Sequence, residues 1–203
     1  VKTLIVNCYR ERAREKIGRY LELAARYSEP YEVPWDACGP GYRLESFSAV
    51  VISGSQWLLS KEAPTPALTE FVKGLNVPTL GICFGHQLLA RAHGAGVLSG
   101  ELVERPETIA VDEPTPLFSG LGEEFEMTES HREYVDYCAI ERAGWRVLAH
   151  SASCPVEAIQ HPTRPLLGVQ FHPERSGPDG ETLLGNFYRL FVRPRQDERP
   201  QHS

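Results

Sequence analysis

The chain lacks the features that mark several large functional classes. Its 203 residues carry 21 Lys and Arg against 27 Asp and Glu, a formal net charge of −6. No basic cluster breaks that balance, so nucleic-acid binding has no electrostatic support. No apolar run approaches the roughly 18 residues a membrane-spanning helix needs, and the opening residues show no signal-peptide pattern. The five cysteines, Cys8, Cys38, Cys83, Cys138 and Cys154, are odd in number, widely scattered and without a C-x-x-C pair. That argues against a disulfide framework or a zinc site and for a reducing, cytoplasmic setting. Phosphate-binding and dinucleotide-binding glycine signatures are missing, as are internal repeats and a domain linker, and nothing calls for a cofactor. What remains suits a single domain with a sizeable core over residues 1–192. A polar tail over 193–203 is expected to fray.

Against that background one stretch stands out: Thr79-Leu80-Gly81-Ile82-Cys83-Phe84-Gly85-His86-Gln87. Val77 to Ile82 reads as a short buried strand, Gly-x-Cys-x-Gly as a sharp turn, and Gln87 to Ala92 as a helix. This is the pattern of a nucleophile elbow with cysteine in the place of serine. Gly81 and Gly85 are expected because a Cβ at either place would collide with its neighbours. Cys83 then sits at a helix amino end, where unpaired N–H groups and the helix dipole favour a thiolate. About ninety residues on, the apolar run Leu167 to Phe171 leads into His172-Pro173-Glu174. In an extended segment His172 and Glu174 share a face, and a carboxylate beside an imidazole orients it and stabilises its protonated form. Cys83, His172 and Glu174 have the chemistry of a cysteine triad.

Elsewhere strand and helix patterns alternate. Strands are predicted over Thr3–Cys8, Tyr31–Pro34 and Ser48–Ser53, and helices over Arg12–Tyr27, Pro66–Leu75 and Gly180–Val192. The third strand is too apolar for a surface strand and suits a parallel sheet covered on both faces. Val97–Val111 and Trp145–Gln160 read as shorter, more alternating strands with antiparallel pairing. The expected fold is α/β: a largely parallel central sheet flanked by helices, with the nucleophile at a strand's carboxyl end, where open α/β sheets carry their sites. Cys8, Cys138 and Cys154 are expected to be buried. Glu11 to Lys16 is expected to be a solvated helix face. Trp57, Leu58 and Leu59 are either core or the surface of a lid or docking site.

Gly81-Ile82-Cys83-Phe84-Gly85-His86-Gln87, followed by Gly168-Val169-Gln170-Phe171-His172-Pro173-Glu174, resembles the class I (triad) glutamine amidotransferase family over nearly the whole chain. The resemblance implies a flavodoxin-like fold. It also implies hydrolysis of the glutamine side-chain amide through a γ-glutamyl thioester on Cys83, with ammonia released for a partner's active site. It assigns oxyanion donors to the N–H groups of Phe84 and Gly54, and substrate contacts to Gln87, Ser130 and Arg132. His86 is expected to be structural, and His131 lacks the orienting carboxylate of a base. Gly54-Ser55-Gln56-Trp57-Leu58 departs from the Gly-Gly-Pro or Pro-Gly-Pro of many relatives. Ser130-His131-Arg132-Glu133-Tyr134-Val135 is most similar to the Ser-His-x-Asp-x-Val segment of GMP synthetase glutaminases, with Glu133 in place of Asp. The implied partner is a synthase subunit of the ATP-pyrophosphatase type, a domain this chain is too short to hold. Two alternatives stay open: a stand-alone γ-glutamyl amide or peptide hydrolase, and a non-catalytic glutamine-binding regulatory subunit.

Overall fold

In the computed structural model the described residues are 1–192, so the expected tail over 193–203 lies outside them. In chain order the elements are β1 (Lys2–Asn7), α1 (Ala13–Ala25), β2 (Glu29–Pro34), β3 (Ala49–Ile52), α2 (Pro66–Lys73), β4 (Thr79–Ile82) and α3 (Phe84–Ala92). They continue with β5 (Val97–Val103), β6 (Pro106–Val111), β7 (Glu124–Thr128), β8 (His131–Val135), α4 (Tyr137–Arg142), β9 (Arg146–His150), β10 (Ala158–Gln160), β11 (Leu166–Val169) and α5 (Gly177–Asn186). A π-helical turn, Phe187–Phe191, extends α5.

One nine-stranded sheet runs in the order β2-β1-β3-β4-β11-β10-β9-β6-β7. From β2 to β11 neighbours are parallel, and from β11 to β7 they are antiparallel. The sequence encodes the difference. Ala-Val-Val-Ile of β3, Thr-Leu-Gly-Ile of β4 and Leu-Leu-Gly-Val of β11 are buried at every position, as a strand covered on both faces requires. The alternating β7 and β8 bury every second residue instead. One core cluster includes Leu4, Val50, Leu68 and Leu88; the other includes Ile5, Ile17, Leu167 and Leu183. Each such side chain, taken fully from water, contributes about 1.5–3 kcal/mol.

Helix ends follow local chemistry. Thr65 caps α2 by accepting from the Leu68 N–H at 3.2 Å, and Pro66 stands at the first helical position, where its missing N–H costs nothing. α1 turns Ile17, Tyr20 and Ala24 inward at spacings of three and four, leaving Glu11, Arg12, Arg14 and Glu15 exposed as expected.

Several expectations need adjusting. The stretch Val97–Val111 is two strands, and β5 leaves the main sheet to form a separate antiparallel ribbon with β8. β7 and α4 have too few alternating or periodic residues to have announced themselves. The closing helix begins three residues early, at Gly177, and opens into the π turn, which buries the consecutive Phe187 and Tyr188. Cys8 and Cys154 are buried as expected, but Cys138 lies on the exposed side of α4.

Candidate active site

At the carboxyl end of β4 the backbone of Cys83 adopts φ 52°, ψ −105°. That conformation costs a non-glycine residue roughly 1–3 kcal/mol and persists only where the surroundings enforce it. Here they do. A Cβ on Gly85 would lie 2.3 Å from the Ile52 carbonyl oxygen of β3, and one on Gly81 would lie 2.5 Å from the Gly85 backbone. The two glycines let strand, turn and helix close on one another. The Cys83 N–H donates to the Val169 carbonyl of β11 at 2.8 Å, which ties the nucleophile to the strand that delivers the histidine. Helix α3 begins at Phe84, so the Phe84 N–H is the first of the helix and has no intrahelical acceptor.

His172 Nδ1 and Glu174 Oε1 are 2.7 Å apart, both buried. The pairing arises differently from the expected alternation along a strand. β11 ends at Val169, and Pro173–Arg175 is a 3-10 turn capped by His172. Proline at the first position of that turn folds Glu174 back onto the imidazole. Burial opposes a charge on His172, but Glu174 and Cys83 together outweigh it and hold the imidazole well above its ordinary value. Nε2 has no hydrogen-bond partner of good geometry among the described residues, while the sulfur is close enough to act on the ring. His172 is therefore poised as an imidazolium beside the cysteine.

The sulfur has two further neighbours. Sγ lies 3.8 Å from the Ser130 carbonyl, to which the thiol donates, and 3.6 Å from Nε2 of Gln170. In the sequence Gln170 reads only as part of a strand, although the period of two that joins it to His172 is visible there. Gln87 is buried and donates from Nε2 to the Glu133 carbonyl at 2.7 Å and to Gln170 Oε1 at 3.0 Å. Both amide hydrogens are thus committed, and toward a ligand Gln87 acts only through its oxygen.

Cys83, Gln87, Ser130, Arg132, His172 and Glu174 line one open cleft of about 990 Å³, together with Ser55, Gln56, Trp57, Lys16, Arg19 and Arg175. Gly54 does not line it as expected. Its N–H already donates to the buried Tyr20 hydroxyl at 3.1 Å, so the assignment of a free Gly54 oxyanion donor does not fit this state. Its lack of a side chain serves close approach instead, because a Cβ there would lie 3.2 Å from Cε1 of His172. Ser55, the next residue, faces the cleft.

The departing loop is held by groups the sequence did not single out. The Glu133 carboxylate accepts from the Leu59 and Ser60 N–H groups at 2.7 and 3.0 Å. The extra methylene of Glu over the Asp of similar segments gives it that reach. Trp57 and Leu59 are buried, which decides for core. Trp57 stacks on Phe84 with centroids 5.4 Å apart, and Arg10 lies over its other side at 3.8 Å.

Neither of the other two histidines near the site competes as a base. His86 is buried against Gly168, and burial lowers it to about 3. Burial lowers His131 to about 4, with its Nδ1 3.1 Å from the Glu133 carbonyl. Among the described residues one group of potential ligand type converges, Glu129, His131 and Glu157.

Comparison with known proteins agrees with this arrangement. The family model described as "Glutamine amidotransferase class-I" matches residues 12–190. One component of the two-part, glutamine-hydrolyzing GMP synthase of Pyrococcus abyssi is 37% identical over 145 residues, covering 70% of this chain and 75% of that protein. The glutamine-hydrolyzing GMP synthase of Clostridium novyi is 32% identical over 177 residues, 84% of this chain but 34% of the relative, so this chain spans about a third of that protein's length. A crystal structure of a glutamine amido transferase from Methylobacillus flagellatus shares the fold, with a TM-score of 0.75 at 16% identity over 99% of both chains. On the match over most of its length, and with a cysteine elbow facing a histidine–glutamate pair, the chain belongs to the class I glutamine amidotransferases.

Proposed function

We propose that the chain is the glutaminase of a GMP synthetase-type amidotransferase, hydrolysing L-glutamine on Cys83 and supplying ammonia to a synthase subunit. The observation that carries this reading is the strained Cys83 elbow beside a buried His172–Glu174 pair at the floor of one cleft. Similarity to the Pyrococcus abyssi GMP synthase component supports the choice of acceptor.

The chemistry follows from the groups in place. The Cys83 thiolate attacks the side-chain carbonyl carbon of glutamine, and the C=O electron pair moves onto oxygen. The Phe84 N–H, at the positive end of α3, stabilises that oxyanion, and Ser55 is the loop residue placed to supply a second N–H. Collapse breaks the C–N bond as imidazolium His172 protonates the leaving nitrogen, giving ammonia and a γ-glutamyl thioester. His172, now neutral, takes a proton from water. The hydroxide attacks the thioester carbonyl, and collapse releases glutamate and the thiolate while His172 keeps the proton. Arg132 at the cleft and the Gln87 oxygen are suited to the α-carboxylate and α-amino groups.

The test is glutamate release by the purified chain, alone and with an ATP-pyrophosphatase subunit plus XMP and ATP. Stimulation of tenfold or more by the complete mixture is the expected result. High activity alone, unchanged by the partner, would overturn the gated-subunit reading. It would favour the alternative, a stand-alone γ-glutamyl hydrolase, for which the cleft has a specific feature: at about 990 Å³ it lies at the top of the roughly 300–1,000 Å³ range of ligand clefts, with room beyond one amino acid.

A further inference from the structure

Beneath the Cys83 cleft lies a pair of carboxyl groups that the hydrolysis does not use. Glu129, between β7 and β8, and Glu157, just before β10, are completely buried. None of their four oxygens receives a hydrogen bond from an N–H or hydroxyl group; the nearby Ser151 hydroxyl donates to Glu107 instead. The two carboxyl groups bond to each other, which requires a proton between them.

His131 identifies where that proton resides. Its Nδ1 is 3.1 Å from the Glu133 carbonyl, so the N–H is on Nδ1 and Nε2 presents a lone pair. Nε2 lies 3.4 Å from Glu129 Oε2. Glu129 therefore faces two acceptors, the Glu157 carboxylate and the His131 lone pair, and only a protonated Glu129 satisfies either.

The backbones of both residues end on the catalytic groups. The residue after Glu129 is Ser130, whose carbonyl holds the Cys83 thiol, and the residue before it is Thr128, whose carbonyl accepts the His172 N–H at 2.9 Å. The Glu157 carbonyl accepts the Gln170 N–H at 2.7 Å, and Gln170 reaches Sγ. The carboxyl pair is thus the side-chain clasp between the two segments that flank the nucleophile.

Resting on the glutaminase reading, we propose that Glu129 and Glu157 are positioning residues of this site, sharing one proton donated by Glu129. Burial and the neighbouring acid push Glu129 far above the usual carboxylate range, with Cys83 adding to the effect and His172 opposing it. Burial also raises Glu157, with Glu107 adding and His150 opposing. His131 is neutral, and Cys154 is a neutral thiol held up by burial. As pH rises and the second proton leaves, two buried carboxylates face each other and the clasp opens.

The experiment reads the proton directly. In the full chain with 13C-carboxyl-labelled glutamate, NMR at pH 8 should show one glutamate carboxyl at a protonated shift, lost in Glu129→Gln. Kinetically, Glu129→Gln keeps a donor between the same acceptors and should hold KM for glutamine within about threefold, while its alkaline limb extends to higher pH. Glu129→Ala leaves Glu157 and His131 unpaired and should raise KM about tenfold or more. The inference is overturned if every glutamate carboxyl is ionised at pH 8, or if the purified chain carries one equivalent of divalent metal, which would put a cation where the proton is assigned. An unchanged pH profile in Glu129→Gln together with unchanged KM in Glu129→Ala would also overturn it. The carboxyl signal is read without substrate, so its absence counts against the clasp whether or not glutamine is hydrolysed. A chain that shows the signal yet hydrolyses no glutamine counts against the glutaminase reading alone.

Discussion

Cys83, His172 and Glu174 form a graded set, and their replacement should show it. Cys83→Ala removes the only nucleophile at the elbow and should abolish glutamine hydrolysis, while synthesis from free ammonia by a synthase partner survives. His172→Ala should lower kcat about 10³-fold or more, and Glu174→Gln about 10²-fold, because an amide still orients the ring without offsetting its charge. The variants also separate by pH. Glu174 raises His172 against the opposing effect of burial, so Glu174→Gln should let the imidazolium deprotonate at lower pH. A kcat/KM profile would then show its alkaline limb moved down, and an unmoved limb would refute the assigned role. The triad was legible because each member sits in a contiguous motif with strong local chemistry. Gln170, Glu129 and Glu157 were not, since their roles depend on contacts between distant parts of the sequence, 87 positions apart for Gln170 and Cys83. Gly54 was legible as a close-packed glycine, but the hydrogen bond to Tyr20 that occupies its N–H comes from α1, 34 residues away.

The elbow and the loop facing it depend on each other. β4 and α3 close only because Gly81 and Gly85 lack side chains, so Gly85→Ala, driving a Cβ to 2.3 Å from the Ile52 carbonyl, should cost about 3 kcal/mol or more. Urea denaturation checks this, and a loss under about 1 kcal/mol would mean the turn can relax. Across the cleft, Glu133 holds two backbone N–H groups of the 59–60 turn. Charge-assisted bonds of this kind contribute about 1.5–3 kcal/mol each, so Glu133→Ala should destabilise the chain by about 2–4 kcal/mol and loosen the Trp57 loop. Glu133→Asp, one methylene shorter, should recover little of this. The parallel strands could be read from their uninterrupted apolar runs. The departure of β5 into its own ribbon with β8 could not, since alternation along a strand does not name its partner.

At the scale of the whole molecule the sheet joins two functions of the chain. Its parallel half carries the elbow and the triad strand, and its antiparallel half carries β10, which leads back toward β11 and His172. Titration couples them. His172 and Glu129 both bind protons more tightly in the folded chain than in the unfolded one. Groups raised in this way stabilise the fold below their unfolded values and lose that contribution as pH rises toward the folded ones. Stability should therefore fall from neutral pH into the alkaline range, measurable as a falling Tm, and fall less in Glu129→Gln. A Tm that rises from neutral pH into that range would contradict both assignments.

The central claim is that glutamine is cleaved through a thioester on Cys83, and acid quenching of the chain during turnover of radiolabelled L-glutamine tests it most directly. A γ-glutamyl adduct on the Cys83 peptide, released by neutral hydroxylamine and absent from Cys83→Ser, is the predicted result. Label on another residue, or glutamate release that survives in Cys83→Ala, would contradict the account.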